Sequence, residues 1–146
     1  ASCVKAVTKI DSVPFAFYSL HICRSKDSHN TGHAYRLAND VLPKEKTDQV
    51  IVLGDFNNNM GDVAMNMLEA SGYRPTWKDL KIDVSKEFTY NALEPEPQNS
   101  GVIDHIFYQG LPGAKVTDGG IIELKKPLSD HKPVWAEIAF PRDIER

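Results

Sequence analysis

The sequence predicts an α/β fold built of packed layers, and three observations carry that prediction. Up to Gly72, apolar runs alternate with stretches of helical spacing in the order strand, helix, strand, helix. The run Gln49-Val50-Ile51-Val52-Leu53 is apolar without alternation, the pattern of a strand buried on both faces. Beyond Gly72 the chain breaks into short strand-like runs divided by turn-rich stretches. The 146 residues suffice for one domain with one core, and the sheet edges need a partner layer.

Taken in order, Cys3–Ile10 and Pro14–Cys23 are two apolar runs joined by Asp11-Ser12-Val13, which predicts a hairpin. The second strand, Val13 to Ile22, is aromatic and apolar and is entered through Pro14. If the two runs pair, Cys3 and Cys23 approach each other, and either a cross-strand disulfide or two half-buried thiols follows. SKDSHNTG is turn chemistry. His33 to Leu42 places Ala34, Leu37, Ala38, Val41 and Leu42 at helical spacing, and Pro43 closes the helix. A strand over Gln49–Leu53 and a polar loop over Gly54–Gly61 come next. A helix over Val63–Ala70 puts Met65, Met67 and Leu68 in the core and stops at Gly72. Four further strands are predicted over Phe88–Tyr90, Val102–Tyr108, Ala114–Leu124 and Pro133–Phe140. In the last of these, Val134, Ala136, Ile138 and Phe140 alternate with other residues, so one face is buried. EPEPQNSG, QGLPG and KKPLSDHK separate them as turns. No internal repeat or low-complexity tract interrupts the pattern.

Composition narrows the function classes. Apolar content of 41% and charged content of 25% are ordinary for a globular protein. No apolar run approaches the roughly 18 residues of a membrane-spanning helix. Seventeen Lys and Arg against twenty Asp and Glu give a formal charge of -3, with no basic stripe. That argues against a protein that coats duplex nucleic acid, but not against an enzyme that holds one phosphodiester through a metal. The chain opens on Ala1 with no basic-then-apolar leader, and is read as a processed product or a piece of a longer chain.

Four constellations could carry chemistry. Gly54-Asp55-Phe56-Asn57 follows the buried strand directly, so a carboxylate appears at its C-terminal mouth, where ligand sites of α/β sheets lie. Asp55 and Asn57 are two residues apart and face one side in extended backbone, with Phe56 turned to the core. The pair suits a water or hard cation and a phosphoryl oxygen, or else makes an Asx turn. Asp104 sits inside the apolar run Gly101 to Tyr108 and needs a partner there, unless it faces water from an edge strand. His105 points the other way, into packing or to the surface. Asp130-His131 precedes a strand that begins at Pro133. An imidazole held by a carboxylate is a competent base or a stabilised cation, and Asp104 could supply that contact, leaving Asp130 for metal duty. A capping Asp and a solvated His would look the same in sequence. His21 ends its strand as a general acid or a structural residue, and Arg36 reads as a structural ion-pair member.

The order SLHI, VIVLGDFN, GVIDHIFY, LSDHKPVWAEI resembles the C-terminal half of the endonuclease/exonuclease/phosphatase superfamily over about Phe15 to Ile138. The resemblance implies half of a four-layer α/β sandwich of the deoxyribonuclease-like fold, with residues 1–146 as a single partial domain. It implies a Mg²⁺-dependent phosphoester hydrolase, with Mn²⁺ as a substitute, working by in-line attack of water. The substrate class is nucleic acid, a phospholipid head group or a sugar phosphate. Asp55 resembles the aspartate that contacts the attacking water and the metal, and Asn57 the amide that steadies the phosphate. His131 resembles the histidine beside the scissile phosphate, Asp104 its orienting carboxylate, and Asp130 a further metal ligand. His21 matches the second histidine of pancreatic-type nucleases and sphingomyelinases, which disfavours the abasic-site branch, whereas SDHKPV is similar to the phosphatase branch. The family's Gln-Glu pair, which carries a metal-binding glutamate, does not precede His21 here. The partner expected from this is an N-terminal half that completes the site. The alternative is an inactive fragment or an interaction module of the same fold.

Overall fold

A computed structural model describes residues 1–24, 29–93, 101–110 and 112–141. The strands β1 (Ser2–Ile10) and β2 (Val13–His21) form the expected hairpin. Its two-residue connection, Asp11 and Ser12, has positive φ at both positions, as tight hairpin turns of the I′ kind require. β3 (Gln49–Asp55) runs parallel to β2. β5 (Asp104–Gln109) runs antiparallel to β3, and the two-residue β4 (Arg74–Pro75) closes the edge. The resulting sheet has the order β1-β2-β3-β5-β4. β6 (Lys115–Ile121) and β7 (Val134–Ala139) form a separate antiparallel ribbon.

One face of the sheet is closed by helices. Ala16, Tyr18, Leu20, Val50, Val52 and Phe107 alternate inward along their strands. They meet Ala34, Leu37, Ala38, Leu42, Ala64, Met65 and Leu68 from the helical layer. α1 (Asn30–Arg36) begins earlier than the spacing predicts, so Asn30 to Gly32 of the expected turn are helical. Beyond Arg36 the coil widens into a π turn over Leu37–Val41 and then tightens into a 3-10 turn over Leu42–Lys44, which contains Pro43. Asn39 Nδ2 donates to the Tyr35 carbonyl at 2.9 Å, a side-chain bond to the acceptor that an α-helical amide would use. α2 (Val63–Ala70) matches its expected span, with Met65 and Leu68 buried and Met67 packed against the core. The short α3 (Thr76–Leu80) was not apparent in the sequence.

The opposite face of the sheet is apolar and only partly covered. Phe15, Phe17 and Ile51 look across a cavity of about 290 Å³ toward Ala136, Ile138 and Phe140. Phe15 and Phe140 meet edge to face at 5.0 Å between ring centroids. The ribbon thus stands over one end of this face, and the alternation expected along β7 holds, with Val134, Ala136, Ile138 and Phe140 the more buried set.

Two expectations need correction. Residues Phe88–Tyr90 do not form a strand; only Tyr90 bridges His131. Thr89 bonds its N–H to the Gly101 carbonyl and its carbonyl to the Lys132 N–H, so its two backbone groups serve different segments and no continuous ladder forms. The cross-strand disulfide does not form, because Cys3 pairs with Leu20 in the hairpin register, three residues short of Cys23; the free-thiol reading holds, with Cys23 half-buried and Cys3 exposed. Cys23 instead places its sulfur 3.2 Å from His33 Nδ1. Most of the EPEPQNSG turn lies outside the described residues.

Candidate active site

Strand register builds the site. His21 pairs with Asp55 across β2 and β3, and Asp55 pairs with Asp104 across β3 and β5. Residues opposite each other in register project from the same face, so three neighbouring strands present His21, Asp55 and Asp104 in one row. The row lies at the C-terminal mouth of β3 and on the face not covered by helices.

Glycine permits the row to form. Gly54 precedes Asp55 with φ of +138°, and a methyl group there would overlap the carbonyl oxygen of Leu20 in β2. The chain then turns sharply. Asp55 Oδ1 accepts the Asn57 N–H at 2.8 Å, an Asx turn, and Asn57 sits at φ of +50°. The turn and the site are therefore one device, since the same carboxylate closes the turn and faces the row. Phe56 is fully buried against His105 and Phe107, as expected. The strand ends at Asp55, so Asn57 does not share its extended geometry. Asn57 Nδ2 reaches back to the Ile22 carbonyl at 2.8 Å and stands 3.4 Å from Asp55 Oδ2.

His131 arrives from outside the sheet. Its bridge to Tyr90 and the bond from its N–H to Ser129 Oγ at 3.1 Å fix the backbone. Its Nδ1 lies 2.8 Å from Asp104 Oδ2, and its Nε2 lies 3.9 Å from Asp55 Oδ2. The Tyr90 ring lies 5.1 Å from the imidazole, centroid to centroid. Asp104 is steadied in turn, since its N–H and that of Ile103 both donate to the buried Thr89 hydroxyl. Asp104 thus has the partner that its apolar strand demanded. His21 Nε2 stands 3.6 Å from Asp55 Oδ2, and its side chain is 64% exposed.

Asp55, Asp104 and His131 offer ligand atoms that all lie within 4.8 Å of one another. Asp130 is exposed and stands outside that group; its carbonyl accepts the Ala92 N–H. Of the two places open to His105, packing or the surface, the structure puts it in the core. Trp77 Nε1 donates to its Nδ1 at 3.0 Å, and its Nε2 lies 2.7 Å from the Asn58 carbonyl. Those partners fix a neutral ring, and burial pushes its pKa down. Arg36 pairs with Asp40 at an exposed distance of 3.8 Å, as a structural residue would.

Electrostatics separates the two central groups. Burial raises the pKa of Asp55, and Asp104 adds to this; the Asn57 N–H, His131 and His21 oppose it without cancelling it. For His131, burial works against the cation, but the hydrogen bond and charge of Asp104, with Asp55 and Asp130 behind it, outweigh burial and raise the pKa above 6.5. A histidine whose folded value is raised contributes stability that is fully present below its unfolded value and is lost as pH rises through the folded value. Titration of His131 by NMR is expected to show a midpoint above 6.5 that drops in Asp104→Asn. An unchanged midpoint in that variant would remove Asp104 as the source of the shift.

No protein-family profile matches the chain, and no curated protein matches it in sequence. Solved structures do. A mannosyl-6-phosphatase from Bacteroides thetaiotaomicron superposes with a TM-score of 0.66 at 24% identity, over 88% of this chain and 52% of that one. D. rerio TDP2, complexed with a single-strand DNA product, gives 0.72 at 17%, over 94% and 61%. An endonuclease/exonuclease/phosphatase from Beutenbergia cavernae gives 0.73 at 14%, over 94% and 39%. The chain has the deoxyribonuclease-like fold of these structures and spans about half their length or less than two thirds of it.

Proposed function

We propose that the chain is the C-terminal half of a metal-dependent phosphoester hydrolase of the endonuclease/exonuclease/phosphatase superfamily. The observation that carries this reading is the row His21–Asp55–Asp104 with His131 folded over it at 2.8 Å from Asp104. The open apolar face beside the row supports an N-terminal half as the partner that completes the domain.

The roles follow from geometry and charge. Asp55 Oδ1 is committed to the Asn57 N–H, whereas the nearest hydrogen-bond donor to Oδ2 is the Asn57 amide, 3.4 Å away. That oxygen is the one available to accept a proton from an attacking water. His131 keeps its proton to higher pH on Asp104 and presents Nε2 to a phosphoryl oxygen as a charged donor. Asn57 is held beside Asp55 by the bond from its Nδ2 to the Ile22 carbonyl, and its second amide hydrogen, on the side of Asp55 Oδ2 at 3.4 Å, is the one a phosphoryl oxygen would take. His21, the most exposed member, stands where a leaving oxygen could take a proton.

The clustered carboxylates of Asp55 and Asp104 would fit a hard divalent cation, Mg²⁺ or Mn²⁺, while Asp130 stands outside that cluster. Such an ion, when bound, neutralises charge on phosphoryl and leaving oxygens. Similarity to a structure called a mannosyl-6-phosphatase and to one complexed with a DNA product leaves both monoester and diester within the reading. The test joins this chain to the sequence preceding it and assays a phosphomonoester and a phosphodiester with and without Mg²⁺. Hydrolysis of at least one, abolished by chelation, is expected. Folded protein that hydrolyses neither with metal present would favour the interaction-module reading instead.

A further inference from the structure

Lys132 follows His131 in the chain and is the most buried cation among the described residues, with a side chain 7% exposed. Burying an ammonium is costly unless it is compensated. Its Nζ lies 3.3 Å from the centre of the Phe88 ring, and its backbone N–H donates to the Thr89 carbonyl at 2.7 Å, so the residue is fixed in place. Among the described residues one carboxylate pairs with it, that of Glu123, and Glu123 is 70% exposed. The pair is asymmetric: a held cation and a solvated counter-ion. Glu123 can therefore leave the pair readily only when another anion takes its place beside the held ammonium.

These two side chains wall a pocket of about 110 Å³, together with Phe88, Ile122, Leu124 and His131. The volume matches roughly three or four waters, at about 30 Å³ each, and so admits a compact anion. His131 belongs both to this pocket and to the row of Asp55 and Asp104. A group seated here is therefore a neighbour of whatever His131 contacts on its other side.

We propose that this pocket receives a second phosphate of the substrate, with Lys132 as the specificity-determining cation and Glu123 as the internal counter-ion that the phosphate displaces. The inference rests on the phosphoester-hydrolase reading and narrows its substrate to molecules with a further phosphate close to the one that is cleaved. Lys132 exchanges one anionic partner for another, so no unpaired charge is left in the pocket. Glu123, when released, swings into water.

The experiment measures binding, so that its failure is distinct from failure of the hydrolase reading. Inorganic phosphate and inorganic pyrophosphate are titrated into the protein completed by its preceding sequence, with Mg²⁺ in excess over the anion. Pyrophosphate is expected to bind about tenfold more tightly than phosphate, the worth of one charge-assisted contact. Lys132→Met should bring the ratio to near one while phosphate still binds. Glu123→Gln, a change on an exposed side chain, should raise the ratio by about threefold or more by removing the competitor. Equal binding of the two anions by the native protein, or a ratio unmoved by Glu123→Gln, would overturn the proposal even if Mg²⁺-dependent hydrolysis is found. Equal weakening of both anions in Lys132→Met would reduce Lys132 to a packing role.

Discussion

Asp55→Asn is expected to lower the turnover of the completed protein by about 10²–10⁴-fold, the usual worth of one general acid–base group, with little change in melting temperature. The substitution preserves shape. An asparagine at position 55 keeps an oxygen for the Asn57 N–H, so the turn that follows β3 survives. It also keeps the register with His21 and Asp104. What it removes is the negative oxygen that faces both histidines, at 3.6 Å and 3.9 Å. His131→Ala should cost a similar factor through the other half of the device, the charged donor held by Asp104. Groups that act as one unit lose far less than the product when removed together, so the double variant should fall little below the worse single one. A decrease under about tenfold in Asp55→Asn would take the base assignment away from Asp55 and leave His131 as the candidate.

The row was legible in sequence to the extent that each member announced itself locally. Asp55 stands at the end of an unbroken apolar run, and Asp104 interrupts another. A carboxylate in such a place needs either water or a partner. The partner itself was harder to read, because His131 is 27 residues from Asp104 and no spacing rule links them; the residues alone offered the contact as one option, and the family resemblance implied it. The Asx turn and a role toward a cation or water do not exclude each other at Asp55, since Oδ1 accepts the Asn57 N–H while Oδ2 faces the two histidines.

Other features left no local mark. α3 is five residues long, too short for a helical period to show, and is held by Trp77 on His105 and by Asp79 on Arg74 and Tyr108. Phe88–Tyr90 has the composition of a strand, but its hydrogen bonds are spent on Gly101 and Lys132 instead of on one neighbour. The burial of Lys132 depends on Phe88 and Glu123, which come from two separate segments. Lysine in a turn-rich stretch ordinarily reads as solvated, so sequence alone gave no reason to single it out.

The largest stability effect is expected at Gly54, where the motif proposed to carry chemistry also carries a packing constraint. Gly54 lies in the second-to-last position of β3, paired with Leu20 on one side and His105 on the other. Its φ of +138° lies in a region that residues with a Cβ rarely adopt. The added methyl of Gly54→Ala would overlap the Leu20 carbonyl oxygen and crowd the rest of that peptide. A flexible side chain could step aside, but Leu20 is backbone in a paired central strand, with a side chain buried in the core. Strain at a disfavoured φ costs about 1–3 kcal/mol and overpacking about 1–3 kcal/mol more. Together they predict a loss on the order of 3 kcal/mol or greater, which at this chain length is a fall of roughly 10 °C in melting temperature. The damage should also reach the chemistry, because Asp55 is the next residue and His21 is one step beyond Leu20. Gly32→Ala is the matched control: it lies within α1 with nothing within 4 Å of the new methyl, and should raise stability by about 0.5–1 kcal/mol. Thermal unfolding of the two variants side by side decides the matter. A Gly54→Ala protein that melts with the native one would show that β2 and β3 can part without cost, and the tight strand contact behind the row would lose its place in the account of how the site is held.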